Sequence, residues 1–160
     1  MSSFMVRSWR DLERFGINAL TGENCAVGRR VLCDLTENGR QIYLEACGLP
    51  PDQETAPNWN SGGKFSANIP YAMLDDIAIF AMLKAGYEAI YIHRNGTVQG
   101  ASGEDKEHID SLIQMEVDYC QQEYERTGEI PKSRGYFGDI RRILNPGRMR
   151  NEHVATGRTY

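Results

Sequence analysis

The strongest hydrophobic pattern in the chain runs from about residue 70 to residue 85. Leu74 and Ile77 begin a segment in which apolar residues occupy most helical positions, so that no side is clearly polar. Such a helix is typical of the centre of a core. Pro70 suits a first helical turn, and Gly86 is a stop signal. We therefore predict a central apolar helix over about 70–85.

After this helix, hydrophobic and more polar residues alternate with a period of two, which indicates a small β-hairpin. Ile90 and Ile92 alternate with less apolar neighbours, as in a strand that is buried on one face. Asn95-Gly96 then supplies the strongest hairpin signal in the chain. We predict a hairpin over about 88–99, with its second strand directly after the turn.

Helical spacing returns in the longest predicted element. Ser102 is a candidate N-cap with Asp105 at the capping-box position, and Gly128 ends the pattern. We predict a helix over about 103–127, with its acidic side chains on the outer face. The expected buried stripe comprises Ile109, Leu112, Ile113, Val117, Cys120 and Tyr124.

Residues 30–47 allow two interpretations. An apolar run at 31–35 followed by the Asn-Gly pair at 38–39 would suit a strand that enters a hairpin. The alternative is a helix that is capped at Thr36 and ended by Gly48. We prefer the helix, because its end signals are better placed than any second strand, but the sequence leaves both interpretations open.

The remaining segments carry weaker signals. Residues 8–15 are expected to form a short helix with Asp11 at the capping-box position. A further helix is expected to begin at Thr21, and its apolar side comprises Cys25, Val27, Val31, Leu32 and Leu35. A last short helix is expected near 138–144, before irregular structure at 147–160.

Together these elements predict the α+β class, mostly helical, in a single globular domain over residues 1–160. The chain is 41% hydrophobic and 25% charged, which is ordinary for a globular protein and excludes a disordered or collagen-like one. No apolar run approaches the ~18–20 residues that cross a bilayer, and no long apolar leader follows Met1. We therefore expect a cytoplasmic protein that has no membrane partner.

Charge is unevenly distributed along the chain, although the net charge is only -4. Residues 101–125 carry eight acidic side chains and one basic one, whereas residues 126–160 carry eight basic and three acidic ones. One interpretation is that the basic C-terminal segment, 132–160, folds back on the acidic helix and neutralises it. The other is that this segment offers its arginines to an acidic partner.

The candidate partner-binding residues combine one aromatic side chain with five cations. They lie in the basic segment and in a loop at 50–68, which is much longer than a usual connection. These residues are Trp59, Lys64, Arg141, Arg142, Arg148 and Arg150. The alternative is a nucleic-acid-binding protein, because aromatic residues suited to base stacking lie among the cations of the same segment. Its candidate residues are Lys132, Arg134, Tyr136 and Phe137.

A small enzyme is the third hypothesis, with a pocket between the 50–68 loop and the hairpin that Lys64, Ser66 and His93 face. None of these three residues belongs to a complete catalytic motif. The four cysteines form no C-x-x-C pair, and the three histidines supply no zinc-ligand spacing. We therefore expect mostly buried free thiols, no metal and no cofactor.

The sequence thus favours a non-enzymatic protein that acts by binding another protein, without excluding an enzyme. A small chain with so few motifs is typical of phage or mobile-element proteins that bind and inhibit host machinery, anti-defence proteins among them. The sequence names neither the partner nor the oligomeric state.

Overall fold

The computed structural model describes residues 3–20, 30–53, 65–131, 140–144 and 154–156. Contacts divide the chain into two compact units, an N-terminal unit (Val6–Ala85) and a C-terminal unit (Met1–Met5 with Gly86–Tyr160). The elements in chain order are β1 (Phe4–Val6), β2 (Ile17–Ala19), β3 (Arg30–Leu35), α1 (Glu37–Ala46), β4 (Phe65–Pro70), α2 (Leu74–Lys84), β5 (Ala89–His93), β6 (Val98–Ala101), α3 (Gly103–Thr127), β7 (Ile140–Leu144) and β8 (Val154–Thr156). Two 3₁₀ segments, Trp9–Phe15 and Tyr71–Met73, precede β2 and α2. One domain over 1–160 stays a prediction.

In the N-terminal unit, β3 lies between β2 and β4 in an antiparallel three-stranded sheet. Val31, Cys33 and Leu35 alternate along β3 and are all buried, because successive side chains of a strand point to opposite faces. α1 packs against α2. Each helix contributes a fully buried isoleucine to the core, Ile42 from α1 and Ile77 from α2.

The passage from β3 into α1 decides between the two interpretations of residues 30–47, because a strand is followed directly by a helix. Thr36 caps this helix, and its Oγ1 accepts a hydrogen bond from the Gly39 N–H at 3.1 Å. The Thr36 N–H donates to the Gly16 carbonyl at 2.9 Å. A Cβ on Gly39 would overlap that carbonyl. Gly39 therefore serves the close approach of α1 to Gly16. The strand at 31–35 is present, but the hairpin turn predicted at 38–39 is wrong.

In the C-terminal unit, the strand order is β1-β6-β5-β7-β8. The predicted hairpin at 88–99 is present, because β5 pairs antiparallel with β6. The other edge of β5 pairs antiparallel with β7. α3 covers one face of this sheet. The buried cluster between them comprises Ala89, Tyr91, Ala101, Ile109, Ile113, Val117 and Ile140.

The bounds of α3 confirm the prediction, and Gly128 ends the helix in a left-handed conformation with a φ of 77°. The start of the helix differs from the predicted capping box, although Ser102 holds the N-cap position. The Glu88 carboxylate accepts from the Gly103 N–H at 2.7 Å, and Asp105 accepts from the Ser3 N–H, also at 2.7 Å. A carboxylate from the chain before β5 thus satisfies the first turn, because the sheet brings it there.

The α+β class is confirmed, but a mostly helical chain is not, since the described residues form eight strands in two sheets. The short helix predicted near 138–144 is wrong, because Ile140–Leu144 is strand β7. A helix this short is marginal by itself, whereas the edge of β5 offers ladder hydrogen bonds along the whole segment. The irregular structure expected at 147–160 is wrong at Val154–Thr156, which pairs with β7.

The short helix predicted at 8–15 is present as a 3₁₀ helix, Trp9–Phe15, and its start is as predicted. Ser8 holds the N-cap position, and Asp11 Oδ2 accepts from the Ser8 N–H at 3.1 Å in the capping box. The central apolar helix begins later than predicted, because Pro70 ends β4 and α2 starts at Leu74. The helix expected from Thr21 is wrong at Val31, Leu32 and Leu35, which lie in strand β3. Its residues 21–29 lie outside the described residues.

Candidate functional site

A cluster of four polar side chains joins α3 to the sheet of the C-terminal unit. The Asp110 carboxylate accepts hydrogen bonds from the Tyr91 hydroxyl at 2.8 Å, from Lys106 Nζ at 2.9 Å and from Arg142 Nη1 at 2.8 Å. The contacts with Lys106 and Arg142 are also ion pairs. These four residues are called the Asp110 cluster below.

The sheet register assembles this cluster from distant parts of the chain. Tyr91 on β5 is the direct cross-strand partner of Arg142 on β7 and of Gln99 on β6. Three polar side chains therefore share one row on the face that α3 covers. On α3 itself, Lys106 and Asp110 are four residues apart, which places them on the same side of the helix.

Burial and hydrogen bonds set the protonation states in the Asp110 cluster. Burial opposes the ionisation of Asp110, but hydrogen bonds from Lys106, Tyr91 and Arg142 outweigh it and hold the pKa of this carboxyl below its usual range. Burial, followed by the hydrogen bond to Asp110, raises the pKa of the Tyr91 phenol. At neutral pH the phenol is a donor and the carboxylate an acceptor. Neither pKa moves towards the neutral range that general acid–base catalysis favours. The hydrogen bonds of the cluster join α3 to β5 and β7.

Two of the predicted partner-binding residues are described, Arg141 and Arg142. Arg142 belongs to the Asp110 cluster, so at this position the basic segment does pair with the acidic helix. Arg141 is exposed, and alternation along β7 places it on the opposite face of the sheet. The other candidates for protein or nucleic-acid binding lie outside the described residues: Trp59, Lys64, Lys132, Arg134, Tyr136, Phe137, Arg148 and Arg150.

The residues that the enzyme hypothesis names belong to separate parts of the structure. Ser66 is buried in β4 of the N-terminal unit. His93 ends β5 in the C-terminal unit, where its Nε2 lies 3.0 Å from Gln99 Oε1. Lys64 lies outside the described residues. The enzyme therefore stays a prediction.

The C-terminal end of α3 carries apolar side chains that are exposed. Tyr124 is 49% exposed and Ile130, just past the helix, is 56% exposed. From residue 121 to residue 130, called the α3 end below, every side chain is exposed except the half-buried Glu123. The prediction that Tyr124 belongs to the buried stripe is wrong, because the helix continues well past Cys120, its last buried residue. Periodicity alone does not show where the sheet beneath a helix ends.

The outer face of α3 is acidic and has an apolar centre. Met115 lies in the middle of this face and is 61% exposed. The two cations of the helix do not neutralise the acidic side chains of this face, because Lys106 pairs with Asp110 and Arg126 pairs with Glu123. The exposed acids at helical spacing are Glu104, Glu107, Asp118 and Glu125.

A cleft of about 280 Å³ lies on the surface of the N-terminal unit, between α1 and the segment that follows it. Sequence reasoning missed this cleft, because the pattern of residues 30–47 does not decide between a helix and a hairpin. Its lining includes Glu37, Arg40, Leu44, Glu45, Leu49 and Pro51.

Asp34 is a buried carboxylate on the second face of the three-stranded sheet. It is only 8% exposed, and its cross-strand partners are Asn18 and Ser66. Within the part of the chain that the structure describes, its Oδ1 has no hydrogen-bond partner. A buried, unpaired carboxylate oxygen is costly, so Asp34 is the least satisfied acidic group described in this unit.

Metal-binding and membrane-spanning features are not found in the described ranges. No three His, Cys, Asp or Glu side chains are grouped there to hold a metal ion. None of the described helices combines the length and apolar character that a bilayer crossing requires. Cys33 and Cys120 are buried and Cys47 is half-buried, and none of these three described cysteines forms a disulfide. No protein family, curated protein or solved structure matches this chain.

Proposed function

We propose that this protein acts by binding another protein, and that the α3 end makes the contact. The observation that carries the proposal is the exposure of Tyr124 and Ile130 at the end of a helix that is otherwise packed on a sheet. A tyrosine offers a large apolar area and a hydroxyl, and it loses little conformational entropy on binding. Tyrosines of this kind are enriched among the residues that dominate interface energies.

The charge around these two side chains supports the same role. The Glu123–Arg126 ion pair, 2.6 Å between Nη2 and Oε1, neutralises the one arginine of the α3 end. Glu125 and Glu129 are exposed beside it. An apolar centre with a charged, water-accessible rim is the usual anatomy of a protein interface.

The wider proposal is a cytoplasmic inhibitor of phage or mobile-element origin that occupies a surface of a host protein. It rests on the small size of the chain and on its lack of a complete catalytic motif. In this mode of action the inhibitor needs only an exposed, complementary surface, which the α3 end offers.

The proposal is tested in two steps. The full-length protein is first used to capture partners from lysate at moderate salt, once with nuclease and once without it. The dissociation constant of a captured, purified protein is then measured by calorimetry for the wild type, for Tyr124→Ala and for Ser111→Ala. Ser111 is exposed on the same helix but far from the α3 end, so it is the control.

We expect Tyr124→Ala to weaken binding by about 30-fold, the loss that a truncated interface anchor of about 2 kcal/mol produces. The Ser111→Ala control should bind as the wild type does. Equal affinity for all three proteins would contradict a contact through the α3 end. Capture that disappears with nuclease would contradict protein binding and favour the nucleic-acid alternative.

A further inference from the structure

The cleft beside α1 holds an arginine whose guanidinium is fixed in place before any ligand binds. Arg40 Nη2 donates to the Gln53 carbonyl at 3.0 Å. The same guanidinium lies 4.9 Å from the centroid of the Phe65 ring. These two contacts hold the planar guanidinium group on the wall of the cleft. A side chain that is already held in this way loses less conformational entropy when it binds a carboxylate.

The charges around the cleft leave one cation and one anion available. Glu45 is already paired with Lys84, with 3.0 Å between Oε1 and Nζ. Within the described ranges, neither Arg40 nor Glu37 forms an ion pair, although both line the cleft. They are three residues apart on α1, so they lie on neighbouring positions of one helix face. A ligand that carries both charges would match this pair better than a simple anion or cation would.

Apart from Gln41, the remaining walls of the cleft are apolar. Leu44 is buried in α1, whereas Leu49 and Pro51 come from the exposed turn that follows. The Leu49 N–H donates to the Leu44 carbonyl at 2.8 Å, which holds this turn against the helix. The volume of about 280 Å³ lies at the lower end of the range of ~300–1,000 Å³ for small-molecule sites. The cleft therefore suits a small ligand with a short apolar group.

We propose that this cleft binds a free amino acid with an apolar side chain. Arg40 receives the carboxylate, Glu37 faces the ammonium group, and Leu49 and Pro51 contact the side chain. The assignment is independent of the α3 end, because it uses only residues of the N-terminal unit.

The first test compares three ligands that share one apolar group: L-leucine, 4-methylpentanoate, which lacks the ammonium group, and isopentylamine, which lacks the carboxylate. Each is titrated into the full-length protein, and amide chemical shifts of residues 37–53 are followed by NMR. We expect leucine to bind with a Kd of about 1 mM, as befits so small a ligand. The other two should bind about tenfold more weakly or worse. Unchanged shifts with leucine, or equal affinity for 4-methylpentanoate, would overturn the proposal.

The second test assigns the two charged residues. Arg40→Gln should remove leucine binding, and Arg40→Lys should lose most of it, because an ammonium group lacks the planar fork. Glu37→Gln should reduce the affinity for leucine to that for 4-methylpentanoate. The controls Arg7→Gln and Glu13→Gln make the same charge changes at exposed positions outside the cleft lining. Leucine binding that survives Arg40→Gln would overturn the assignment. The ligand comparison uses the unaltered protein, so it decides the question even if a variant fails to fold.

Discussion

Replacement of Asp110 by alanine removes the acceptor that three side chains share beneath α3. The Tyr91 hydroxyl would keep only the Lys106 carbonyl, at 3.4 Å, as an acceptor. A buried hydroxyl left almost without a partner costs about 1–3 kcal/mol. The ion pairs with Lys106 and Arg142 are partly exposed, with side chains 22–34% accessible, so each contributes only about 0.2–1 kcal/mol. We therefore expect Asp110→Ala to lower the free energy of unfolding by about 2–4 kcal/mol.

The assay is urea unfolding followed by far-UV circular dichroism, with free energies from linear extrapolation. Asp118→Ala is the matched control. Asp118 lies on the same helix but is exposed, and its Oδ1 accepts one hydrogen bond, from Gln114 at 2.9 Å. Its replacement should change the stability by no more than about 0.5 kcal/mol. A cost for Asp110→Ala equal to that of the control would refute a structural role for the cluster.

The same cluster predicts a pH dependence whose sign follows from the lowered pKa of Asp110. A carboxyl with a lower pKa in the folded state than in the unfolded state stabilises the fold above its unfolded pKa. That contribution is lost as the pH falls through the folded pKa. The stability difference between wild type and Asp110→Asn should therefore be full at neutral pH and should shrink at acid pH. A difference that is independent of pH would contradict a charged Asp110.

Two further predictions concern the N-terminal unit. Gly39→Ala should destabilise the protein by about 1–3 kcal/mol, because the added Cβ overlaps the Gly16 carbonyl. This loss is expected despite the gain of ~1 kcal/mol that alanine has over glycine in a helix. Gln41→Ala, at an exposed position of the same helix, is the control, and a more stable Gly39→Ala variant would show that α1 and Gly16 are not in contact. Asp34→Asn should stabilise the protein by about 1 kcal/mol, because it removes a buried charge with an unpaired oxygen. Thermal unfolding measures this change in stability. A large loss of stability would mean that a hydrogen-bond donor reaches Asp34 in the native protein.

The sequence by itself determined the elements whose signals lie within a few residues. Gly128 ends α3 because a glycine adopts the left-handed conformation that closes a helix at little cost. Gly96, with a φ of 89°, allows the tight turn that joins β5 and β6 in one hairpin. The Thr36 cap at the start of α1 is also a local signal, although the sequence left a hairpin open for that segment. All these signals act through local backbone geometry, so they are readable without knowledge of the fold.

Tertiary structure decided which segments meet. Ile140–Leu144 is a strand because β5, nearly fifty residues earlier, offers it an edge. Arg142 reaches Asp110 because the pairing of β7 with β5 places it beneath α3. Tyr124 is exposed because α3 extends beyond its last buried residue, Cys120. The cleft at Arg40 likewise depends on how the turn after α1 folds back. These features depend on contacts between segments that are far apart in the chain, and local hydrophobic periodicity carries no information about such contacts.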